Sequence, residues 1–212
     1  AAAVDEEHAF RGVSDLVNRG VRADAAVVSE PTCLDIIVAH KGVLRWPIVT
    51  EGRAAHSSKV HLGINAISKM AKVIDAIETR LLPTYSKTVH PLLGPPTLNI
   101  GLIEGGIQIN TVPDRCSIEI DRRILPGESK DAIWSQFEEV LDELRAADPE
   151  LRVKMGAPRL YDFPLETDAG ERVVKVAEEA CRRSIGRATV AGVPYGTDAS
   201  KLSRVGIPSI VL

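Results

Sequence analysis

Residues 43–48, Val-Leu-Arg-Trp-Pro-Ile, mark the point at which the sequence changes character. Leu44, Trp46 and Ile48 alternate with Val43, Arg45 and Pro47, the period of a strand with one buried face. Pro47 favours an edge or bulge position, because it has no N–H to give to a ladder. Beyond it, Ile64, Ile67, Ala71, Ile74, Ile77 and Leu81 recur at helical spacing, an amphipathic helix of about five turns. Leu98, Ile100 and Leu102 alternate as a second strand, and Ile118 and Ile120 as a third. Glu104-Gly105-Gly106 and Val112-Pro113-Asp114 between them are turn material. Ser129 is placed to cap a second helix carrying Ile133, Phe137, Val140 and Leu144. After the break at Asp148-Pro149, Leu151, Val153 and Met155 alternate once more.

The order is β-α-β-β-α-β, the ferredoxin-like plan, and it makes residues 41–156 a compact insert. Residues 1–40 and 157–212 then belong together as a second, discontinuous α/β unit. Ala1–Val4, Ala25–Val28 and Ile207–Leu212 read as short buried strands. Asp168 with Glu171 reads as an N-terminal box for a helix bearing Val173, Val174, Ala177 and Cys181. The chain begins and stops on strands, so both parts of this unit, 1–40 and 157–212, are expected to be truncated.

Composition narrows the class. The 212 residues are 44% hydrophobic and 26% charged, ordinary globular material. A net charge of −3 without aromatic-basic interleaving argues against a nucleic-acid partner. No apolar run is long enough to span a membrane. The N-terminus lacks the basic region and apolar core of a signal peptide. Cys33, Cys116 and Cys181 lack metal-ligand spacing and read as buried thiols in a reducing compartment, which makes the cytoplasm the expected location.

Acidic residues gather where apolar runs stop: Val4-Asp5-Glu6-Glu7 and Ser29-Glu30-Pro31-Thr32. In open α/β sheets ligands collect beyond the carboxyl ends of strands, so Glu6, Glu7 and Glu30 have a route to one site. Three converging carboxylates need a cation or a shared proton, and a hydrolytic metal site is the natural hypothesis; solvated strand-end charges are the alternative. His56, in Gly52-Arg53-Ala54-Ala55-His56-Ser57-Ser58, is either a ligand-facing or a solvated loop histidine. Gly105-Gly106-x-x-x-Asn110-x-Val112-Pro113 presents an amide or is a plain connection. Arg123, before Pro126-Gly127, is a binding group or a surface ion pair. Gly196-Thr197-Asp198 precedes a short apolar helix, with Thr197 as cap or the loop as an anion site. His8, His40, His61 and His90 carry nothing that separates them from surface histidines.

These stretches, with Ala55-His56-Ser57-Ser58, Gly63-x-Asn65-Ala66, Asp121-x-Arg123-x-x-Pro126-Gly127 and Gly196-Thr197-Asp198-Ala199, resemble in order and spacing metallopeptidase family M20. This is the group of acetylornithine deacetylase, succinyl-diaminopimelate desuccinylase, aminoacylase and carboxypeptidase G2. The resemblance implies a zinc-peptidase-like catalytic domain interrupted by the ferredoxin-like insert as a lid and dimerisation domain. It implies two zinc ions per complete site, cobalt or manganese being alternatives, with Glu7 and Glu30 as ligands and Glu6 as general base. It implies that His56 crosses a homodimer to the partner's oxyanion, and that Asn110 and Arg123 bind a substrate carboxylate. Arg159, Gly196, Thr197 and Asp198 are further substrate-facing positions by the same resemblance. A His and a bridging Asp expected upstream, and a last His expected downstream, are not found in these residues. The implied activity is hydrolysis of an amide bond beside a free carboxylate, in an N-acyl amino acid or dipeptide. The alternative is a non-catalytic dimerisation or binding module, and this chain alone is expected to be inactive with its zinc site incomplete or empty.

Overall fold

The structure is a computed structural model that describes residues 3, 4 and 10–212. In chain order it holds α1 (Arg11–Asn18), β1 (Ala26–Val28), β2 (Ile36–His40), β3 (Gly42–Glu51), α2 (Ala66–Ala76), β4 (Thr97–Gly105), β5 (Arg115–Ile124), α3 (Lys130–Ala147) and β6 (Arg152–Met155). It continues with β7 (Leu160–Asp162), β8 (Leu165–Glu166), α4 (Arg172–Ile185), β9 (Val190–Val193), α5 (Ala199–Arg204) and β10 (Ser209–Val211). The strands form two five-stranded sheets.

One sheet follows the β-α-β-β-α-β reading. Its strands lie in the order β4-β5-β3-β6, each antiparallel to its neighbour. Leu44, Trp46 and Ile48 of β3 are completely buried beside Ile118 and Ile120 of β5, as their alternation predicts. They meet Met70 and Val73 from α2 and Ile133, Phe137 and Leu141 from α3 in one core. The Trp46 ring meets Phe137 edge to face at 4.8 Å. Burying each such side chain stabilises the fold by about 1.5–3 kcal/mol, so this layer is the main source of its cohesion. Both helix starts carry a side-chain cap: Asn65 Oδ1 accepts from the Ser68 N–H, and Ser129 Oγ from the Ala132 N–H. The stripe expected through Ile67 and Ala71 is corrected: both are exposed, and α2 buries Ala66, Met70, Val73 and Ala76 instead, the helix stopping at Ala76 and a π turn over Ile77–Leu81 burying Ile77 and Leu81. Pro83 follows in the next turn, where its ring and missing N–H oppose continuation of the regular α pattern.

Two expectations need correction. Pro47 lies on a strand paired along both edges, since β5 takes one side of β3 while β6 and β7 share the other. It is tolerated because β6 ends at Met155 opposite Ile48 and β7 begins at Leu160 opposite Arg45, leaving its missing N–H in the gap. The Pro47 carbonyl accepts the Gly156 N–H there at 2.8 Å, and a Cβ on Gly156 would stand 2.6 Å from Pro47 Cγ. In β4 the register shifts between Ile100 and Leu102, a bulge that breaks the alternation and leaves Leu102 and Ile103 exposed.

The other sheet joins β1 to β10 in parallel and β10 to β2 antiparallel. β2 also pairs with β8 antiparallel and with β9 in parallel. Ile36, Val38 and Ile210 pack on Val174, Ala177 and Cys181 of α4, whereas Ile37, Leu165 and Val211 meet Ala199 of α5. The strand expected at Ala1–Val4 is only partly described, and its described end, Val4, is exposed and outside any strand. Val4 instead gives its carbonyl to the Gly12 N–H. The expected box before α4 does not form. Asp168 Oδ1 accepts the Gly170 N–H in a tight local turn, and Glu171 makes no side-chain cap bond. Cys116 and Cys181 are buried as expected, but Cys33 is exposed, carried outward by a left-handed turn with φ of 56°.

Asp148, at the end of α3, accepts both Lys69 and Lys72 of α2 at 2.8 Å, and these ammonium groups hold its carboxyl at about 2, below the ordinary 3.8. The stabilisation is therefore complete above about pH 3.8 and is lost as pH falls through about 2. Denaturant titrations at pH 5, 3 and 2 are expected to show Asp148→Asn less stable than wild type at pH 5, with the gap closing towards pH 2.

Candidate functional site

The chemistry-bearing residues of the antiparallel sheet occupy its two opposite ends. At one end the segment before α2 is zipped to the β4–β5 connection. The Ser57 N–H donates to the Asn110 carbonyl at 2.9 Å and the Val112 N–H to the Ala55 carbonyl at 2.8 Å, with His56 bridged to Thr111. Gly106, at φ of 74°, supplies the left-handed turn that starts this connection. His56 and Asn110 are thus neighbours, both exposed. His56 Nδ1 accepts from the Ser58 N–H at 3.2 Å, which places the proton of the neutral ring on Nε2. That nitrogen is a hydrogen-bond donor aimed away from its own backbone.

Arg123 lies at the other end. β4 and β5 pair from Gly105–Cys116 to Thr97–Arg123, and the run from Cys116 to Arg123 spans about 24 Å at strand rise. The Arg123 Nε donates to Asp121 Oδ1 at 2.9 Å, and Arg45 takes the second oxygen of the same carboxylate at 2.8 Å. A guanidinium has five donors, so this pairing leaves Arg123 capacity for a second anion. Arg159 pairs with Glu119 at 3.0 Å and gives its backbone N–H to the Arg45 carbonyl. His56, Asn110 and Arg123 therefore cannot meet on one small molecule within one copy of the chain.

Where the two sheets join, a buried polar cluster surrounds the Gly196-Thr197-Asp198 loop. His40 Nε2 accepts the Thr197 N–H at 3.3 Å while Nδ1 donates to the Lys41 carbonyl at 3.0 Å. Burial, with Lys201 nearby, lowers the His40 pKa from 6.5 to about 4, so the imidazole is neutral. The Lys201 ammonium lies 2.6 Å from Asp162 Oδ1 and 3.1 Å above the Phe10 ring. Burial pushes the carboxyls of Asp162 and Asp198 up, with Lys201 opposing the shift in both. Asp162 Oδ2 and Asp198 Oδ1 are buried without a hydrogen-bond partner. Thr197 is wholly buried; its hydroxyl accepts the Ala199 N–H and its carbonyl receives Ser200 Oγ. Its hydroxyl thereby holds the first N–H of α5 from one residue before the N-cap position, which is Asp198, while Gly196 is the half-exposed member of the loop. His40, expected to be indistinguishable from a surface histidine, is instead completely buried, and the sequence reading gave Asp162 and Lys201 no role. The available signal was a histidine ending the apolar run Ile36-Ile37-Val38-Ala39, a buried setting rather than a surface one.

Glu30 and Asp198 line a cavity of about 540 Å³ beside Val28, Leu202 and Ile207. Among the described residues no group of three or more His, Cys, Asp or Glu converges, so these donors do not by themselves fit a two-metal centre. Glu6 and Glu7 lie outside the described residues. Among the described residues no helix is long and apolar enough to cross a membrane.

The M20 peptidase dimerisation domain matches residues 38–149. Acetylornithine deacetylase of Myxococcus xanthus is 29% identical over 210 residues, covering 98% of this chain and 54% of that protein. The enzyme of the same name from Vibrio parahaemolyticus is 34% identical over 154 residues, 70% of this chain and 40% of that protein. In structure, aminopeptidase PepT from Bacillus cereus superposes with a TM-score of 0.76 at 26% identity, covering 99% of this chain and 54% of that one. An M20 metallo-carboxypeptidase from Sulfolobus solfataricus shares the fold, with a TM-score of 0.70 at 17% identity over 94% of this chain and 58% of that one. The chain belongs to the M20 peptidase family. It spans about half the length of the curated relatives with which it aligns end to end.

The His40 environment has a measurable consequence. Because its folded pKa lies below the unfolded value, the unfolded chain binds the extra proton between them, and stability falls as pH drops from about 6.5 to about 4. The contribution at stake is about 3 kcal/mol. Chemical denaturation between pH 7 and pH 4 is expected to give a shallower dependence in His40→Gln than in wild type, whatever the variant's stability at pH 7.

Proposed function

We propose that the full-length protein is a metal-dependent amidohydrolase that cleaves an N-acyl or peptide bond beside a free carboxylate, in a site shared between two copies of the chain. The observation that carries this reading is the span of about 24 Å along β5 between the His56–Asn110 end and Arg123. Groups so far apart can serve one substrate only if the two ends come from different copies. β4 supports the same conclusion. It pairs with β5 alone among the described strands and exposes Leu102 and Ile103, an open apolar edge suited to a symmetric interface.

In this reading the lid is residues 41–156, and the flanking segments 1–40 and 157–212 contribute to the catalytic domain. Arg123, on the side of the sheet that joins β2, holds the substrate carboxylate in its own copy. His56 and Asn110 arrive from the partner. The Nε2–H of His56 donates to the carbonyl oxygen as negative charge develops there, a contribution of about 3 kcal/mol in comparable sites. Asn110 supplies an amide to the carboxylate. Glu6 is assigned the proton transfer from water to the leaving amine. Glu7 and Glu30 are assigned to zinc, or to cobalt or manganese in its place, with further ligands from beyond these residues. The metal would supply Lewis-acid polarisation of the carbonyl. Arg159 and Gly196 are assigned to the substrate-facing wall, with Thr197 and Asp198, which are buried, supporting the loop behind it. Such a protein would be a homodimer acting in the cytoplasm on a small molecule.

Subunit mixing tests the shared site. His56→Ala and Arg123→Ala of the full-length protein should each lose most activity. Co-refolded in equal amounts, they should recover about a quarter of wild-type activity, since half the dimers are mixed and each mixed dimer rebuilds one site. No recovery with heterodimers confirmed by mass would reject it. On purified protein, light scattering is expected to give twice the chain mass.

A further inference from the structure

Ile107 and Ile109 are the most exposed aliphatic side chains among the described residues, at 83% and 104% of full accessibility. Their position is informative. The Thr111 N–H donates to the Gln108 carbonyl at 3.2 Å, closing a β-turn whose two corners are Ile109 and Asn110. The turn is held against His56 by the Ser57–Asn110 and Val112–Ala55 hydrogen bonds, so its tip and the histidine are placed by one backbone scaffold. Adjacent Cα atoms are about 3.8 Å apart, so the Ile109 and Asn110 side chains leave the chain from neighbouring corners of one turn. A wholly hydrated isoleucine at such a tip gains about 1.5–3 kcal/mol if a partner covers it.

Building on the shared-site reading, we propose that Ile109 is a specificity-determining residue, forming the apolar wall of the partner's site against the substrate side chain on the carbon that bears the free carboxylate. Asn110 takes the carboxylate, the side chain of the same substrate residue branches one bond away, and Ile109, the other corner of the turn, is the exposed apolar side chain next to Asn110. The substrate class this favours is an N-acyl amino acid or dipeptide with an aliphatic residue on the carboxylate side. Glycine there would leave Ile109 uncovered, and a cationic side chain would be desolvated against it.

The test uses the full-length protein with N-acetylated glycine, leucine and ornithine, comparing wild type with Ile109→Ala and Ile109→Glu. The leucine-to-glycine ratio of kcat/KM is expected to fall about tenfold in Ile109→Ala, the scale on which a pocket reads a few methylenes. In Ile109→Glu the ornithine-to-leucine ratio should rise by at least as much. Ratios that stay at their wild-type values in both variants overturn the assignment, whether or not the dimer is weakened, because a residue of the interface alone changes all three substrates together. His56→Ala, measured alongside, separates the two levels of inference. Full turnover in that variant rejects the crossing of the lid itself, whereas low turnover with unmoved ratios in the Ile109 variants rejects Ile109 only.

Discussion

Strand β3 is the member on which the other parts depend. It begins two residues after β2 ends, so one uninterrupted stretch of backbone, Ile36 to Glu51, passes from one sheet into the other. Along ten positions it is paired with β5, and its second edge is divided between β6 and β7. Its start is sterically tight. A Cβ on Gly42 would stand 2.5 Å from the Asp162 carbonyl oxygen and 2.7 Å from the Pro164 nitrogen, distances no side chain tolerates. Glycine is therefore required where β3 leaves the joint. The contact it permits brings Asp162, at the end of β7, against the Gly196-Thr197-Asp198 loop and Lys201.

That joint concentrates buried polarity in a chain whose other charged groups are mostly solvated. Desolvation penalises each buried charge, and the cluster answers in two ways: His40 gives up its proton and is satisfied as a neutral ring, and Lys201 sits between acids. A neutral imidazole with one donor and one acceptor matches the Lys41 carbonyl and the Thr197 N–H, so β2 and the loop are registered without a net charge. Lys41 continues the connection by reaching the Pro95 carbonyl at 2.6 Å, tying the segment before β4 to the same joint. The polar residues at the far end of the sheet obey a different logic. His56 and Asn110 are exposed; their backbones are zipped together and Ser58 holds the His56 ring through Nδ1, which leaves the far ring nitrogen and the Asn110 amide available to another molecule.

The two ends of the antiparallel sheet are accordingly different surfaces with different tasks. The end near the joint is rigid, cationic and pre-paired, Asp121 holding both Arg45 and Arg123 in fixed directions. The far end is an apolar-tipped turn on a restrained scaffold. A strand of this length is what keeps them apart, and in the reading proposed above it makes the lid a lever that carries one copy's donors into the other's cleft.

Much of this was legible in the residues themselves. Period-two and period-3.6 patterns located four of the five strands and both helices of the antiparallel sheet, and Ser129 announced its helix, because alternation and capping are local rules that a buried face imposes directly on sequence. The motifs around His56, Asn110 and Arg123 were legible as candidates for the same reason, each a short run of small, polar or turn-forming residues. Local rules did not reveal that Pro47 sits on a doubly paired strand, because its tolerance comes from a gap between two other strands. Nor did they show that Asp168 would close its own turn instead of capping α4, a competition between two hydrogen bonds of similar strength. His40, Asp162 and Lys201 lie far apart in the chain and become one cluster only when the two sheets are joined. The sequence by itself determined the segments on which a buried face imposes a period, the strands and helices between residues 43 and 155 and the helix bearing Val174 and Cys181 among them, and which side chains were chemically capable. Tertiary structure alone decided which of those side chains are buried together and which stand at opposite ends of a sheet, because burial and distance are set by long-range packing that no local pattern encodes.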